Sequence, residues 1–164
     1  MSAPIISIIN NDYCQEVINI ILPIQQLEFN VSITLEDQPD LLNIEANYHQ
    51  TGGGFWGAKV NGELVGTIAL IATGHNAGAI RKMFVKKDFR GKEYGIAQQL
   101  LKALIAYCNG AGIKDLYLGT VDKLAAARRF YEKNHFQAIA KADLPPYFPV
   151  MSADNVFYHL SLND

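Results

Sequence analysis

The sequence predicts a mixed α/β fold in one domain, and three features of it carry that prediction. Apolar residues recur at helical spacing twice, at Val17, Ile21, Ile24 and Leu27 and again at Ala97, Leu100, Leu101, Leu104, Ile105 and Cys108. Asn61-Gly62, the pair preferred in a two-residue type I′ hairpin, separates two strand-like runs, 55–60 and 63–72. From residue 78 onward strand-like and helix-like segments alternate, as in α/β folds. With 164 residues, 49% hydrophobic and 18% charged, the chain can bury one sizeable core and is too apolar for disorder.

Taken in order, Pro4-Ile5-Ile6-Ser7-Ile8-Ile9 reads as a short strand closed by Asn10-Asn11-Asp12, residue types that cap helices. The first helix follows, with Pro23 as a kink or end. Asp37-Gln38-Pro39-Asp40 opens a second helical stretch reaching about Gln50, and Gly52-Gly53-Gly54 makes a joint before Phe55-Trp56. After the hairpin comes a strand over 78–86, then the amphipathic helix with Gly110 and Gly112 at its C-terminus. Asp115–Thr120 is a strand and Leu124–Lys133 a helix, ended by Asn134 and His135. Phe136–Ala140 and Val156–Leu162 are the last strands, joined by a connection that holds Pro145, Pro146 and Pro149.

Composition narrows the function classes. Cys14 and Cys108 are the only cysteines and lack metal-ligand spacing, so a disulfide scaffold and a zinc ribbon are excluded, and no metal site is expected. A reducing, cytoplasmic compartment fits. The longest apolar run, Val17–Ile24, is interrupted by Asn19 and Pro23 and is too short to span a bilayer, and no basic residue precedes it. The net charge of −2 conceals an asymmetry. Residues 1–58 contain seven acids and neither Lys nor Arg, whereas six bases fall between Arg81 and Lys92. The basic segment lacks aromatics interleaved for base stacking, so a compact phosphorylated ligand is expected and nucleic acid is not.

The segment that carries chemistry is Val85-Lys-Lys-Asp-Phe-Arg-Gly-Lys-Glu-Tyr-Gly-Ile-Ala-Gln-Gln-Leu-Leu101, a strand running through a glycine-containing turn into a helix. Unpaired N–H groups and the positive dipole end at such a helix start converge on an anion. The spacing is neither a Walker loop nor a dinucleotide fingerprint. Arg90-Gly91-Lys92-Glu93-Tyr94-Gly95-Ile96-Ala97 resembles the pyrophosphate loop of the GNAT superfamily of acetyl-CoA-dependent N-acetyltransferases, Gln/Arg-x-x-Gly-x-Gly/Ala, which follows a strand ending like Met83-Phe84-Val85. Downstream, Ala125 to Phe136 is similar to the family's later helix, Ala-x-x-Phe-Tyr-x-Lys-x-Gly-Phe.

The resemblance implies a GNAT-type mixed, splayed β-sheet flanked by helices, formed by one domain over 1–164. Its acceptor side would lie in about 1–58 and its acetyl-CoA core in about 78–136. Met83, Phe84 and Val85 would pair with the pantetheine arm, and the backbone from Arg90 through Gly91, Lys92, Glu93, Tyr94, Gly95 and Ile96 to Ala97 would hold the pyrophosphate. Arg128, Tyr131 and Lys133 would also fall on the cofactor side, with Tyr131 protonating the departing thiolate. Two positions depart from the pattern. Glu93 replaces a glycine and would cost roughly 1–2 kcal/mol if positive φ were required there; its side chain is expected in solvent. His135 replaces another, with Asn134 expected to take the capping role.

Attack by an amine also needs a group that removes or relays a proton. Glu28 and Asp122 are the catalytic carboxylates proposed from position, beside Glu36, Asp37 and His75. The reading is an acyltransferase that moves acetyl from acetyl-CoA to a small-molecule or peptide amine by direct attack, without metal, nucleic acid or membrane as partner. The acid-rich first third suits a small amine, a polyamine or an amino terminus. Homodimers recur in this family, although nothing in the sequence specifies an interface. A GNAT-fold acyl-CoA sensor without catalysis is the alternative class.

Overall fold

The local rules explain most of the element boundaries in the computed structural model, which describes residues 2–162. Strands are β1 (Ile5–Ile8), β2 (Gly54–Val60), β3 (Glu63–Gly74), β4 (Ala77–Val85), β5 (Asp115–Thr120), β6 (Gln137–Ile139) and β7 (Val156–Ser161). Helices are α1 (Cys14–Pro23), α2 (Ile96–Ala111) and α3 (Ala125–Lys133). The strands form one mixed sheet in the order β1-β2-β3-β4-β5-β7-β6. β1, β2 and β3 pair antiparallel in sequence, as do β5 with β7 and β6 with β7, whereas β4 and β5 are parallel. The β4–β5 register runs over Ala77–Ala79 against Asp115–Tyr117.

The hairpin is the one expected. Asn61 and Gly62 both have positive φ, 51° and 82°, and Val60 pairs with Glu63 across them. One helical segment ends where expected and a second departs from expectation, each for an identifiable reason. Pro23 lacks an N–H, so α1 ends there and widens into a π turn over Ile24–Glu28, closed by Phe29 N–H donating to Ile24 O at 3.1 Å. The stretch 37–50 is not one helix but a 3₁₀ turn at Pro39–Leu42 and a π turn at Glu45–His49. Asn43 divides them because its side chain accepts from Ala46 N–H, a capping role that requires a non-helical residue. At the end of α3 it is His135, not Asn134, that adopts the left-handed conformation, with φ 73° against −93°. Asn134 instead donates its side-chain amide to Phe130 O.

Two compact units share these elements. The first runs to Ile71 and includes Arg81–Tyr107; the second holds Ala72–Ile80 and the described residues from Cys108 on. In the first, Val17, Ile18, Ile20 and Ile21 of α1 pack with Ile9, Leu41, Ile44, Tyr48, Phe55 and Leu64. Tyr48 meets Phe55 edge-on at 5.2 Å. β2 and β3 are buried on both faces, so Phe55-Trp56 belongs to the core. In the second, Tyr131, Phe136, Phe148, Phe157 and Tyr158 form an aromatic core. Among the described residues no helix is long and apolar enough to cross a membrane.

Candidate functional site

Three features shape the turn into α2. Lys87–Phe89 makes one 3₁₀ turn, Arg90 is extended, and Gly91 and Gly95 have φ of 110° and 61°. Side chains are strained in that region of φ, so these two glycines let the chain wrap toward the helix start. Glu93 is exposed and is not among the positive-φ residues, so the strain considered for it does not arise. Gly95 N–H donates to Gly91 O at 3.2 Å and Phe89 stacks obliquely on Tyr94 at 5.3 Å, which braces the turn. The first turn of α2 carries no acidic residue, which leaves its positive dipole end for a ligand. Ile96, Leu100, Leu101 and Leu104 of α2 are buried; Ala97 is half-buried and Lys92 exposed.

Arg90 is held at both ends of its guanidinium. Its Nε donates to Val85 O at 2.8 Å, tying the turn to the end of β4. Its Nη1 and Nη2 donate to Glu28 Oε2 and Oε1 at 2.5 and 2.8 Å. Those hydrogen bonds, helped by the charges of Arg90 and Lys87, hold the Glu28 carboxyl below the usual carboxylate range despite partial burial. Glu28, read from sequence as a base, is therefore engaged through both oxygens.

β4 approaches this turn through Arg81, Lys82, Met83, Phe84 and Val85, all half-buried. Lys82 is left-handed within the strand, φ 54°, and its carbonyl accepts from Thr67 Oγ1 at 2.7 Å. Its ammonium, on a side chain only 10% exposed, donates to Gln38 Oε1 at 2.5 Å and lies 3.7 Å from Asp40. Gln38 is buried and exchanges amide hydrogen bonds with Gln25 at 2.9 and 3.2 Å, while Tyr48 donates to Asp40 at 2.5 Å. Burial lowers the Lys82 pKa from the lysine value, opposed by the Asp40 charge. Burial likewise raises the Tyr48 phenol, with Asp40 adding to it. Sequence reasoning missed this group. Its available signal was the pair of charges Arg81-Lys82 inside the otherwise apolar strand.

In the second unit, Tyr131 is 7% exposed and lies among Phe130, Phe136 and Tyr158, with centroids 5.5 to 5.9 Å away. Burial pushes its phenol above the usual tyrosine value, and the charge of Asp154 adds to that. Asp154 was not foreseen; its carboxylate fills the space beside Gly119, where an added Cβ would come within 2.4 Å of it. Arg128 donates to Tyr158 OH at 3.4 Å, and Tyr158 donates to Glu132 at 2.7 Å. Lys133 and Asp122 are exposed, and Asp122 N–H donates to Asn155.

The remaining candidates have local partners or none that bear on chemistry. Asp37 accepts from Thr34, His75 stacks on Tyr147 at 4.3 Å, and Glu36 is exposed. Phe148, in the connection before β7, packs on Tyr117 and Phe157. Cys108 is buried, which pushes its thiol up to about 12 and makes it inert as a nucleophile at neutral pH. Among the described residues no group of three or more His, Cys, Asp or Glu is placed to hold a metal ion.

Residues 18–136 match the model of the family described as the acetyltransferase (GNAT) family. A protein named N-acetylaspartate synthetase, from Danio rerio, is 33% identical over 106 residues, 63% of this chain and 37% of that protein. The chain thus spans a little over a third of the length of that curated relative. A crystal structure of an acetyltransferase of the GNAT family from Staphylococcus aureus Mu50 is 44% identical, with a TM-score of 0.94 over 98% of this chain and 100% of that one. PaiA N-acetyltransferase from Thermoplasma acidophilum, crystallised in complex with coenzyme A, shares the fold at a TM-score of 0.73 and 16% identity, over 97% of this chain and 99% of that one.

Proposed function

Because this chain belongs to the GNAT acetyltransferase family, we propose that it moves the acetyl group of acetyl-CoA to a primary amine by direct attack on the thioester. We propose also that 1–164 works as one domain, with the acceptor side in about 1–58 and the cofactor core in about 78–136. The observation that carries the reading is the turn from Arg90 to Ile96. It joins two positive-φ glycines to a helix start free of acidic residues, and its Arg90 fork already grips a carboxylate. Those features fit an anionic pyrophosphate.

In this reading the backbone from Arg90 to Ala97 holds the pyrophosphate, and Met83, Phe84 and Val85 offer main-chain groups to the pantetheine arm. Arg128 and Lys133 add positive charge on the cofactor side. When bound, acetyl-CoA supplies the activated acetyl group. Tyr131 carries a proton at Oη for the departing sulfur, and burial keeps that proton in place at neutral pH. Of the two carboxylates, Asp122, exposed and just after β5, is the one proposed to work through water on the amine proton, whereas Glu28 is given to Arg90 in the chain without cofactor. No thiol takes part.

The acceptor is a small-molecule or peptide amine. The acidic first third suits a cationic amine or polyamine. A second reading is an amine that also carries a carboxylate: the Danio rerio relative is named N-acetylaspartate synthetase, after the amide such an amine gives, and the buried Lys82 ammonium would meet that carboxylate in exchange for Asp40, 3.7 Å away. Mass spectrometry after incubation with acetyl-CoA and a panel of polyamines, amino acids including aspartate, and peptides decides among them. Acetylation of one class establishes the enzyme. Acetyl-CoA binding with no product across the panel would favour a sensor instead. If a carboxylate-bearing amine is the substrate, Lys82→Met should raise its KM about tenfold while leaving a polyamine's KM unchanged. An equal change in both, or none, would sink the carboxylate reading.

A further inference from the structure

Arg90 presents the fork that the proposed function assigns to phosphate, yet a carboxylate of the same chain already fills it. Nη1 and Nη2 reach the two oxygens of Glu28 at 2.5 and 2.8 Å, the bidentate pattern that a guanidinium also makes with phosphate. Both side chains are about one-third exposed, 35% and 29%, so solvent and a ligand can reach the pair. Nε is bonded separately to Val85 O, which fixes the root of the guanidinium while leaving the fork as the exchangeable end. Glu28 stands at the end of the π turn that follows Pro23, closed by Ile24 O and Phe29 N–H, so a defined piece of backbone aims it. The turn that holds Arg90 also bears Lys87 and Lys92 beside Asp88 and Glu93, while Lys86 at its start is paired with Glu63 at 2.9 Å.

We propose that Glu28 is an intramolecular stand-in for the cofactor's pyrophosphate. The carboxylate holds Arg90 in its binding position when no cofactor is present, and must leave the fork when phosphate arrives. The inference rests on the proposed function for the identity of the ligand. Glu28 is thereby a positioning residue that sets affinity for the phosphate part of the cofactor, at the cost of competing with it. This is a role distinct from the base read from its sequence position. An uncharged amide keeps the shape and removes the competing charge.

Isothermal titration of wild type and Glu28→Gln with coenzyme A, and with pantetheine as a probe that lacks the pyrophosphate, tests the exchange. The variant should bind coenzyme A roughly three- to tenfold more tightly at low ionic strength, less so as salt rises, and pantetheine with unchanged affinity. The Nε–H resonance of Arg90 should move on adding coenzyme A to wild type, and Arg90→Gln should abolish the gain from Glu28→Gln. A variant that binds coenzyme A no more tightly than wild type overturns the exchange alone. Equal tightening toward pantetheine overturns it too, because the effect would not be on phosphate. A wild type that does not bind coenzyme A overturns the cofactor reading and the exchange with it.

Discussion

Tyr131→Phe is expected to lower kcat about a hundredfold while leaving coenzyme A affinity within twofold of wild type. The ring is almost wholly enclosed by Phe130, Phe136 and Tyr158, and phenylalanine keeps every one of those contacts. What disappears is the proton at Oη. Donation of a proton in the transition state is worth about 10²- to 10⁴-fold, and the lower end is expected because burial makes this phenol a weaker acid than usual. The same shift has a pH consequence. A phenol whose folded pKa is raised stays protonated when the unfolded chain has begun to ionise. Its contribution to stability is complete below about pH 10 and is lost as pH rises through the folded value. Steady-state kinetics on the acetylated amine, with calorimetric binding of coenzyme A, separates the roles. Unchanged kcat would remove Tyr131 from the chemistry, and a parallel loss of binding would make it structural.

Gly66→Val should both destabilise the protein by about 1–3 kcal/mol and weaken coenzyme A binding tenfold or more. The backbone of Gly66 is not in the left-handed region, so the effect is purely steric. A Cβ there would come within 3.0 Å of Ile96 Cγ2, 3.3 Å of Phe84 O and 3.4 Å of Leu100 Cδ1, and valine adds two more methyl groups. Ile96 and Leu100 are the buried residues of the first turns of α2, so relief means lifting the helix start away from β3. The turn proposed to hold the pyrophosphate ends at that helix start, and Phe84 belongs to the strand proposed to meet the pantetheine arm. Thermal unfolding and titration with coenzyme A check the two halves together. A variant with the wild-type midpoint and affinity would show that α2 does not depend on the missing side chain.

The parts of the proposed site that sequence reasoning could offer are those written in consecutive residues. Arg90 to Ala97 could be read because a strand end, two glycines and a helical face follow one another within a few positions. Tyr131 entered only through the resemblance of the helix that contains it to the family's later helix. The assignment of Glu28 as a base, by contrast, rested on its place at the end of a helix, and its partner Arg90 is 62 residues away. Lys82 and Gln38 are 44 apart, and neither stretch shows a pattern that points to the other. Asp154 lies in a proline-bounded connection, where local composition says only that a loop is present.

The sequence by itself determined the strands and helices that obey short-range chemistry, the Asn61-Gly62 hairpin, the glycine turn into α2 and, through two separated motifs, the family. Backbone preference, capping and amphipathic spacing act over a handful of residues, so they are readable without a fold. Only the tertiary structure decided which carboxylate holds Arg90, that Lys82 is buried against Gln38 and Asp40, and that His135 rather than Asn134 turns the chain after α3. Those outcomes depend on which distant side chains packing brings within hydrogen-bond reach, and on how much water the packing leaves around each charge.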